Sequence, residues 1–247
     1  MSTADRRLGL CVPDQRHPKV AIVDYGMGNL FSVRLACERA GARVEITSSP
    51  RMVDAADSVI LPGVGAFSDA MTSLRESGMV DALRAAAESG KPLLGICLGL
   101  QLLMTESFEF GYHRGLGLIE GSVVPLERPV EAGGPHKVPQ VGWNQMWAVH
   151  PNTWKGTPLE GIPDGAFMYF VHSYYVVPAA PTVVASVTRY GSTEFCSSLR
   201  RDNIFGCQFH PERSGPLGLE IYRNFAIEFL PVPKPAQLEK ANRVRPA

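Results

Sequence analysis

The amino-acid sequence predicts an α/β fold: an open, mostly parallel sheet with flanking helices and an antiparallel extension. Three observations carry this. Short apolar runs in the first half alternate with helical patterns, the signature of βαβ units. Those runs (Val20-Ala21-Ile22-Val23, Ser58-Val59-Ile60-Leu61, Leu93-Leu94-Gly95-Ile96) are almost continuously apolar, as strands covered on both faces are. Beyond about residue 120 the segments become shorter, β-rich and separated by Gly, Pro and polar turns, which reads as antiparallel strands extending the same domain.

Taken in order, residues 1–18 mix charge, Gly and Pro without a period and read as a flexible leader. Lys19 to Asp24 is the first strand. Gly26, Gly28 and Asn29 make a turn, and Leu30, Val33, Leu35 and Ala36 give a helical face ending at Gly41. Arg43 to Thr47 and Ser58 to Leu61 are the next strands. Pro62-Gly63-Val64-Gly65 is a turn, and Ala66 to Ser77 and Met79 to Ser89 are helical. The run into Cys97 is a strand, and a helix-compatible stretch follows through Met104. Later strands are expected at Ser122–Leu126, Gln145–Val149, Ala166–Phe170, Val183–Val187, Glu194–Leu199 and Ile204–Phe209. Leu217 to Leu230 is a closing helix ended by Pro231, Pro233 and Pro235. Residues 19–230 thus form the folded domain, and 231–247 a disordered tail.

Lys plus Arg balance Asp plus Glu at 24 each, with no long run of one sign. Composition therefore makes no case for nucleic acid or an anionic membrane surface. No apolar stretch approaches the roughly 18 residues of a membrane span. The five cysteines (Cys11, Cys37, Cys97, Cys196, Cys207) are odd in number, widely spaced and without a C-x-x-C pair. They suggest no disulfide framework and no metal site. A reducing, cytoplasmic setting is expected, with four structural thiols and one for chemistry.

That one is Cys97. Gly95 and Gly99 flank it at minus two and plus two, the spacing of a nucleophile elbow on a strand-to-helix turn. A thiol there meets the N–H groups and dipole of a helix N-terminus, which favour the thiolate. A buried core cysteine is the plainer alternative, so the rest of the chain must supply a base. His210, in Gly206-Cys207-Gln208-Phe209-His210-Pro211-Glu212, lies at another strand end. Glu212 is two residues on, on the same side of an extended segment, and can brace the imidazole. Ligand clefts of open α/β sheets lie at the carboxyl ends of the strands, where Cys97, His210 and Pro62 to Gly65 would meet. Gly63, Val64 and Gly65 can offer backbone N–H groups to an oxyanion, together with the amide of Leu98. Gln101, one turn after Cys97, can face the same cleft.

Gly-Ile-Cys-Leu-Gly-Leu-Gln with a later Phe-His-Pro-Glu resembles the class I glutamine amidotransferases of the triad type. Four further stretches resemble one branch of them, the glutaminase subunits of imidazole glycerol phosphate synthases in histidine biosynthesis. They are Asp24 to Leu30, Leu61 to Phe67, Val141 to Asn144 and Phe170 to Tyr175. The likeness runs from about Lys19 to Leu230. It departs at Gln140, where a histidine is expected, and at Leu100, where methionine is common.

The resemblance implies a flavodoxin-like fold, a Cys97–His210–Glu212 triad, and glutamine contacts from Gln101, Glu109, and the backbone of Ser173 and Tyr174. It implies L-glutamine as substrate and no cofactor. It further implies a heterodimer with a (β/α)8-barrel cyclase, reached through Trp143, Asn144 and Tyr169. Ammonia freed from glutamine would pass to the cyclase, which makes imidazole glycerol phosphate and an aminoimidazole carboxamide ribotide from a phosphoribulosyl precursor. Val64, between two glycines, would let its peptide flip and keep glutaminase low until the partner's ligand binds. The rivals are a glutaminase serving another synthase, a binding module on the same fold, which should lack a triad member, and a cysteine peptidase, which should ignore glutamine.

Overall fold

The computed structural model describes residues 17–127, 130–131 and 134–228. The expected disordered tail, Phe229 and Leu230 of the closing helix, Cys11 and most of the leader lie outside them.

The strands are β1 (Lys19–Val23), β2 (Arg43–Thr47), β3 (Ser58–Gly63), β4 (Leu93–Cys97), β5 (Met104–Ser107), β6 (His113–Arg114), β7 (Ile119–Pro125), β8 (Val130–Glu131), β9 (Gly134–Pro135), β10 (Gln140–Gln145), β11 (Trp147–Ala148), β12 (Phe167–His172), β13 (Tyr174–Pro178), β14 (Val184–Tyr190), β15 (Thr193–Arg201) and β16 (Ile204–Cys207). The helices are α1 (Leu30–Arg39), α2 (Pro50–Ala55), α3 (Phe67–Glu76), α4 (Met79–Glu88), α5 (Leu98–Leu102) and α6 (Gly215–Arg223).

Eight strands form the main sheet in the order β11-β14-β15-β16-β4-β3-β1-β2. From β16 to β2 neighbours are parallel; β15, β14 and β11 add on antiparallel. Alternation along each strand divides the core in two. Ala21, Val23, Val59, Leu61 and Leu93 face one side with residues of α2, α3 and α4. Val20, Ile22, Ile60, Leu94 and Ile96 face the other with residues of α1 and α6. Both faces being covered is why these strands carry no polar alternation.

The antiparallel extension is real but not the whole of the second half. β13, β7, β5 and β6 make a separate four-stranded sheet, and β10 with β12 a two-stranded ribbon. Several boundaries differ from expectation for physical reasons. The helix after Cys97 stops at Leu102 and Met104 begins β5. There the carbonyls of Leu102, Leu103 and Met104 accept from Leu116, Leu118, Ile119 and Gly117, so long-range pairing overrides the run's helical character. Every residue of α5 is buried, which removes the periodicity that separates helix from strand. Pro62 and Gly63 belong to β3 rather than to a turn, because both pair with β4 (Pro62 with Ile96, Gly63 with Cys97).

The strand sought at Gln145–Val149 is divided between the end of β10 and β11; β13 and α2 were not anticipated. Pro50 opens α2 at the first helical position, where its missing N–H costs nothing. The closing helix begins two residues early, at Gly215, and its last five residues, Asn224–Glu228, are a π-helix.

The parallel register brings the ends of β3, β4 and β16 side by side: Gly63 lies opposite Cys97, and Cys207 opposite Ile96. A Cβ at Gly99 would overlap the Leu61 carbonyl oxygen; only glycine lets α5 sit this close to β3. Gly99→Ala should therefore lower the unfolding free energy by more than about 3 kcal/mol, measured by denaturant titration.

Candidate active site

Cys97 is the last residue of β4 and the residue before α5, with φ 54° and ψ −110°. A non-glycine residue rarely holds a positive φ, and the strain is tolerated only where surrounding packing enforces it. Here α5 on β3 does so. Gly95 complements Gly99: a Cβ there would be 2.9 Å from the Gly99 carbonyl oxygen. The thiol is buried, 6 % exposed, and its Sγ lies 3.8 Å from the Val171 carbonyl oxygen.

His210 follows β16 by three residues, its backbone N–H tied to the Tyr169 carbonyl at 2.9 Å. Its Nδ1 is 2.8 Å from Glu212 Oε1, and both side chains are almost fully buried. Tyr222 of α6, itself buried, donates to Glu212 Oε2 at 3.3 Å. The bond to Glu212 makes Nδ1 a donor and leaves Nε2 as the nitrogen that can exchange a proton with the site. His210 Nε2 is buried and has no hydrogen-bond partner among the described residues. Burial pulls the imidazole's pKa down, but Cys97 and Glu212 together outweigh it and raise it from the ordinary value to about 10. A thiol, an imidazole and a carboxylate that holds the imidazole thus stand at the ends of adjacent strands, an arrangement that can supply nucleophile, base and orienting group.

The other thiols are different. Burial pushes Cys37, Cys196 and Cys207 well above the ordinary thiol range, and all three are free and buried, as inert structural thiols are.

Gly63 lies against the Tyr25 hydroxyl, which donates to the Pro62 carbonyl at 2.8 Å; a Cβ at Gly63 would overlap that hydroxyl. Val64 is 43 % exposed, Gly65 has φ 106°, and Leu98 is buried beside Cys97. Gln101 is buried; its Nε2 donates to the Tyr174 carbonyl at 3.0 Å and to Gln208 Oε1 at 3.1 Å. Glu109 accepts from the Phe67 N–H that opens α3. The Ser173 carbonyl accepts from Leu126 N–H. The Tyr174 carbonyl takes a second bond, from His172 Nδ1 at 2.9 Å. These bonds tie Gln101 to Tyr174 and Gln208, Glu109 to the start of α3, and Ser173 to Leu126.

Trp143 and Tyr169 are cross-strand partners on the β10–β12 ribbon, with ring centroids 6.1 Å apart, and the Arg213 guanidinium lies 4.3 Å over the Tyr169 ring. Val141, Trp143 and Phe167 are exposed on the same face. Asn144, one residue on from Trp143, instead ties the ribbon to β14 through the Arg189 carbonyl at 2.9 Å. Gln140 is buried opposite His172, and among the described residues Gln140 Oε1 lacks a hydrogen-bond partner.

Sequence reasoning passed over Tyr222, Gln208 and His172. Tyr222 stands among apolar residues of the closing helix, where an aromatic ring reads as core. Gln208 stands two residues before His210, the extended-chain spacing that puts side chains on one side, and that was its available signal. No helix among the described residues is long and apolar enough to cross a membrane, and none of their His, Cys, Asp and Glu side chains form a metal-binding group. A surface cavity of about 570 Å³ between Ala148 and Asp164 contains none of the triad.

A buried cysteine elbow with a carboxylate-braced histidine defines a thiol-dependent hydrolase site. Residues 21–229 match the family model described as "Glutamine amidotransferase class-I", and the chain belongs to that family. A Moorella thermoacetica protein named imidazole glycerol phosphate synthase subunit HisH is 52 % identical over 206 residues, 83 % of this chain and 93 % of that one. The protein of the same name from Syntrophotalea carbinolica is 49 % identical over 208 residues, covering 83 % and 98 %. Within the family, then, the chain falls among the HisH subunits. Among solved structures, PurLQS from Thermotoga maritima shares the fold with a TM-score of 0.65 at 20 % identity, covering 85 % of this chain and 97 % of that one.

His172 permits a test of the site's frame. Burial lowers its pKa from 6.5 to about 4, outweighing the bond to Tyr174, and His210 lowers it further. The folded chain therefore holds it neutral while the unfolded chain binds the proton. Stability from this group is complete above about pH 6.5 and is lost as pH falls toward 4. That loss is on the order of 2–3 kcal/mol. His172→Asn should show a flatter fall in stability over this window than the parent chain, in denaturant titrations at stepped pH.

Proposed function

We propose that this chain is the glutaminase subunit of an imidazole glycerol phosphate synthase, with Cys97, His210 and Glu212 as its catalytic triad. The observation that carries the reading is the braced pair: a strained, buried cysteine at one strand end, and beside it a histidine whose other nitrogen is held by a buried carboxylate. Membership of the HisH group supports glutamine as substrate and histidine biosynthesis as setting.

In this reading Cys97 Sγ attacks the side-chain amide carbon of L-glutamine. The oxyanion meets N–H groups from Leu98 and the Gly63-Val64-Gly65 segment. His210 gives a proton to the amide nitrogen, the C–N bond breaks and ammonia leaves. A thioester remains on Cys97. Water, deprotonated by His210, then attacks it, releasing glutamate and restoring the thiolate. No step needs a metal or cofactor. Glu212 stays ionised and holds the imidazole, with Tyr222 holding Glu212. Gln101, Glu109, and the backbone of Ser173 and Tyr174 would bind the amino-acid portion of glutamine.

The ammonia is used by a (β/α)8-barrel cyclase subunit in a heterodimer, which converts a phosphoribulosyl precursor to imidazole glycerol phosphate and an aminoimidazole carboxamide ribotide. Trp143 and Tyr169, with exposed Val141 and Phe167 beside them, form an apolar face one strand from the thiol, which supports the ribbon as the docking surface. Asn144 would act by holding that ribbon to the sheet. Exposed Val64 next to Gly65 at positive φ supports a peptide that turns its N–H into the oxyanion site when the partner's ligand binds.

With its cyclase partner, Cys97→Ala should make no glutamate from glutamine, while free ammonium still supports synthesis. Retained glutaminase would overturn the assignment. Glu212→Gln should lower glutaminase kcat by about 10³–10⁴-fold in the same steady-state assay and leave ammonium-dependent synthesis intact.

A further inference from the structure

Gln208 is fully buried between β16 and His210. Its side-chain Nε2 lies 3.6 Å from Cys97 Sγ, and its Oε1 accepts from Gln101 Nε2 at 3.1 Å. Which end of each amide faces which neighbour follows from the partners. Gln101 also reaches the Tyr174 carbonyl at 3.0 Å, and a carbonyl can only accept, so that end of Gln101 is nitrogen. A nitrogen there requires an oxygen from Gln208, which leaves the Gln208 nitrogen toward the sulfur. His172 Nδ1, at 2.9 Å from the same Tyr174 carbonyl, must likewise donate. One backbone carbonyl therefore sets the direction of two buried amides, ending in an N–H aimed at the reacting atom.

We propose that Gln208 is a further catalytic residue of this site: its amide N–H donates to the Cys97 sulfur and stabilises the negative charge there, before attack on substrate and again when the thioester is hydrolysed. Gln101 is a positioning residue that holds this N–H in direction. The inference rests on the reading that Cys97 is the nucleophile. The two neighbours of the sulfur favour different states. The Val171 carbonyl, at 3.8 Å, can accept from the thiol and repels the thiolate; the Gln208 N–H favours the thiolate. Gln208 thus offsets a carbonyl that the strand pairing of β12 cannot withdraw.

The test is the pH dependence of Cys97 alkylation by iodoacetamide in the full chain, located by peptide mapping. The titratable groups around the sulfur are His210 and Glu212, Cys207 on β16, Tyr25 after β1 and His172 on β12. All are left in place by the substitutions. Gln208→Met keeps length and burial but has no donor. Its alkylation profile should move up by about one pH unit, a roughly tenfold slower reaction near neutrality, with the plateau at high pH unchanged. In complex with the cyclase, kcat for glutamine should fall with little change in KM, and ammonium-dependent synthesis should persist.

Gln101→Met, which removes the support and also a glutamine contact, is read by alkylation, which needs no glutamine; it should move the profile the same way by less, and it serves alone if Gln208→Met does not fold. An unmoved profile in either folded variant, or a uniformly lower plateau without a shift, overturns the proposal. If instead Cys97→Ala keeps its glutaminase, the nucleophile reading itself has failed, a result independent of any Gln208 variant.

Discussion

A missing methyl group allows α5 to rest on β3, and the site is built on that contact. Gly99 abuts the Leu61 carbonyl so closely that any side chain would overlap it. Because the helix must begin there, the chain has to leave β4 abruptly, and Cys97 absorbs the turn at φ 54°. Strain of this kind, of order 1–3 kcal/mol, is held in place by two buried layers, one on each face of the sheet. The thiol gains a fixed direction at the end of β4. Parallel pairing then brings Gly63 opposite it and carries the chain leaving β16 past it to His210. Loosening the Gly99 contact would displace Cys97 relative to both His210 and Gly63.

Around the sulfur, electrostatics are arranged in two directions. Along one, Tyr222 and Glu212 hold the imidazole, whose affinity for a proton rises despite burial. Along the other, His172 and Gln101 converge on the Tyr174 carbonyl, and Gln208 extends that chain to the sulfur. Both lines run through buried groups, where hydrogen bonds are strong and unmet ones costly. The apolar face of the β10–β12 ribbon lies just beyond, so β12 contributes Val171 to the thiol and Tyr169 to the surface. A single strand therefore touches both the Cys97 thiol and an exposed apolar face.

Much of this was legible in the residues. The parallel core announced itself through apolar runs, and the elbow through Gly95 and Gly99, because close backbone approach leaves a mark in composition. His210 and Glu212 were found from their spacing after a strand. What escaped notice depended on contacts distant in sequence. Gln208 reads as one polar residue among many until Gln101, more than a hundred residues earlier, gives its amide a direction. Tyr222 reads as core because its ring is core and only its hydroxyl is not. The end of α5 and the β10 strand were misjudged because pairing with β7 and β12, not local propensity, decides them. Asn144, which the resemblance groups with Trp143, donates to the Arg189 carbonyl of β14, a contact distant in sequence.

The proposed chemistry requires a covalent bond at one sulfur, that of Cys97. The most direct measurement is to incubate the chain and its cyclase with 6-diazo-5-oxo-L-norleucine, a glutamine analogue that captures an attacking thiolate, and to locate the adduct by peptide mass spectrometry. The expected result is a single 5-oxonorleucine thioether on Cys97, formed with loss of N2 in step with loss of glutaminase and prevented by excess glutamine. Loss of glutaminase with Cys97 unmodified, or an adduct on Cys37, Cys196 or Cys207 instead, would contradict it.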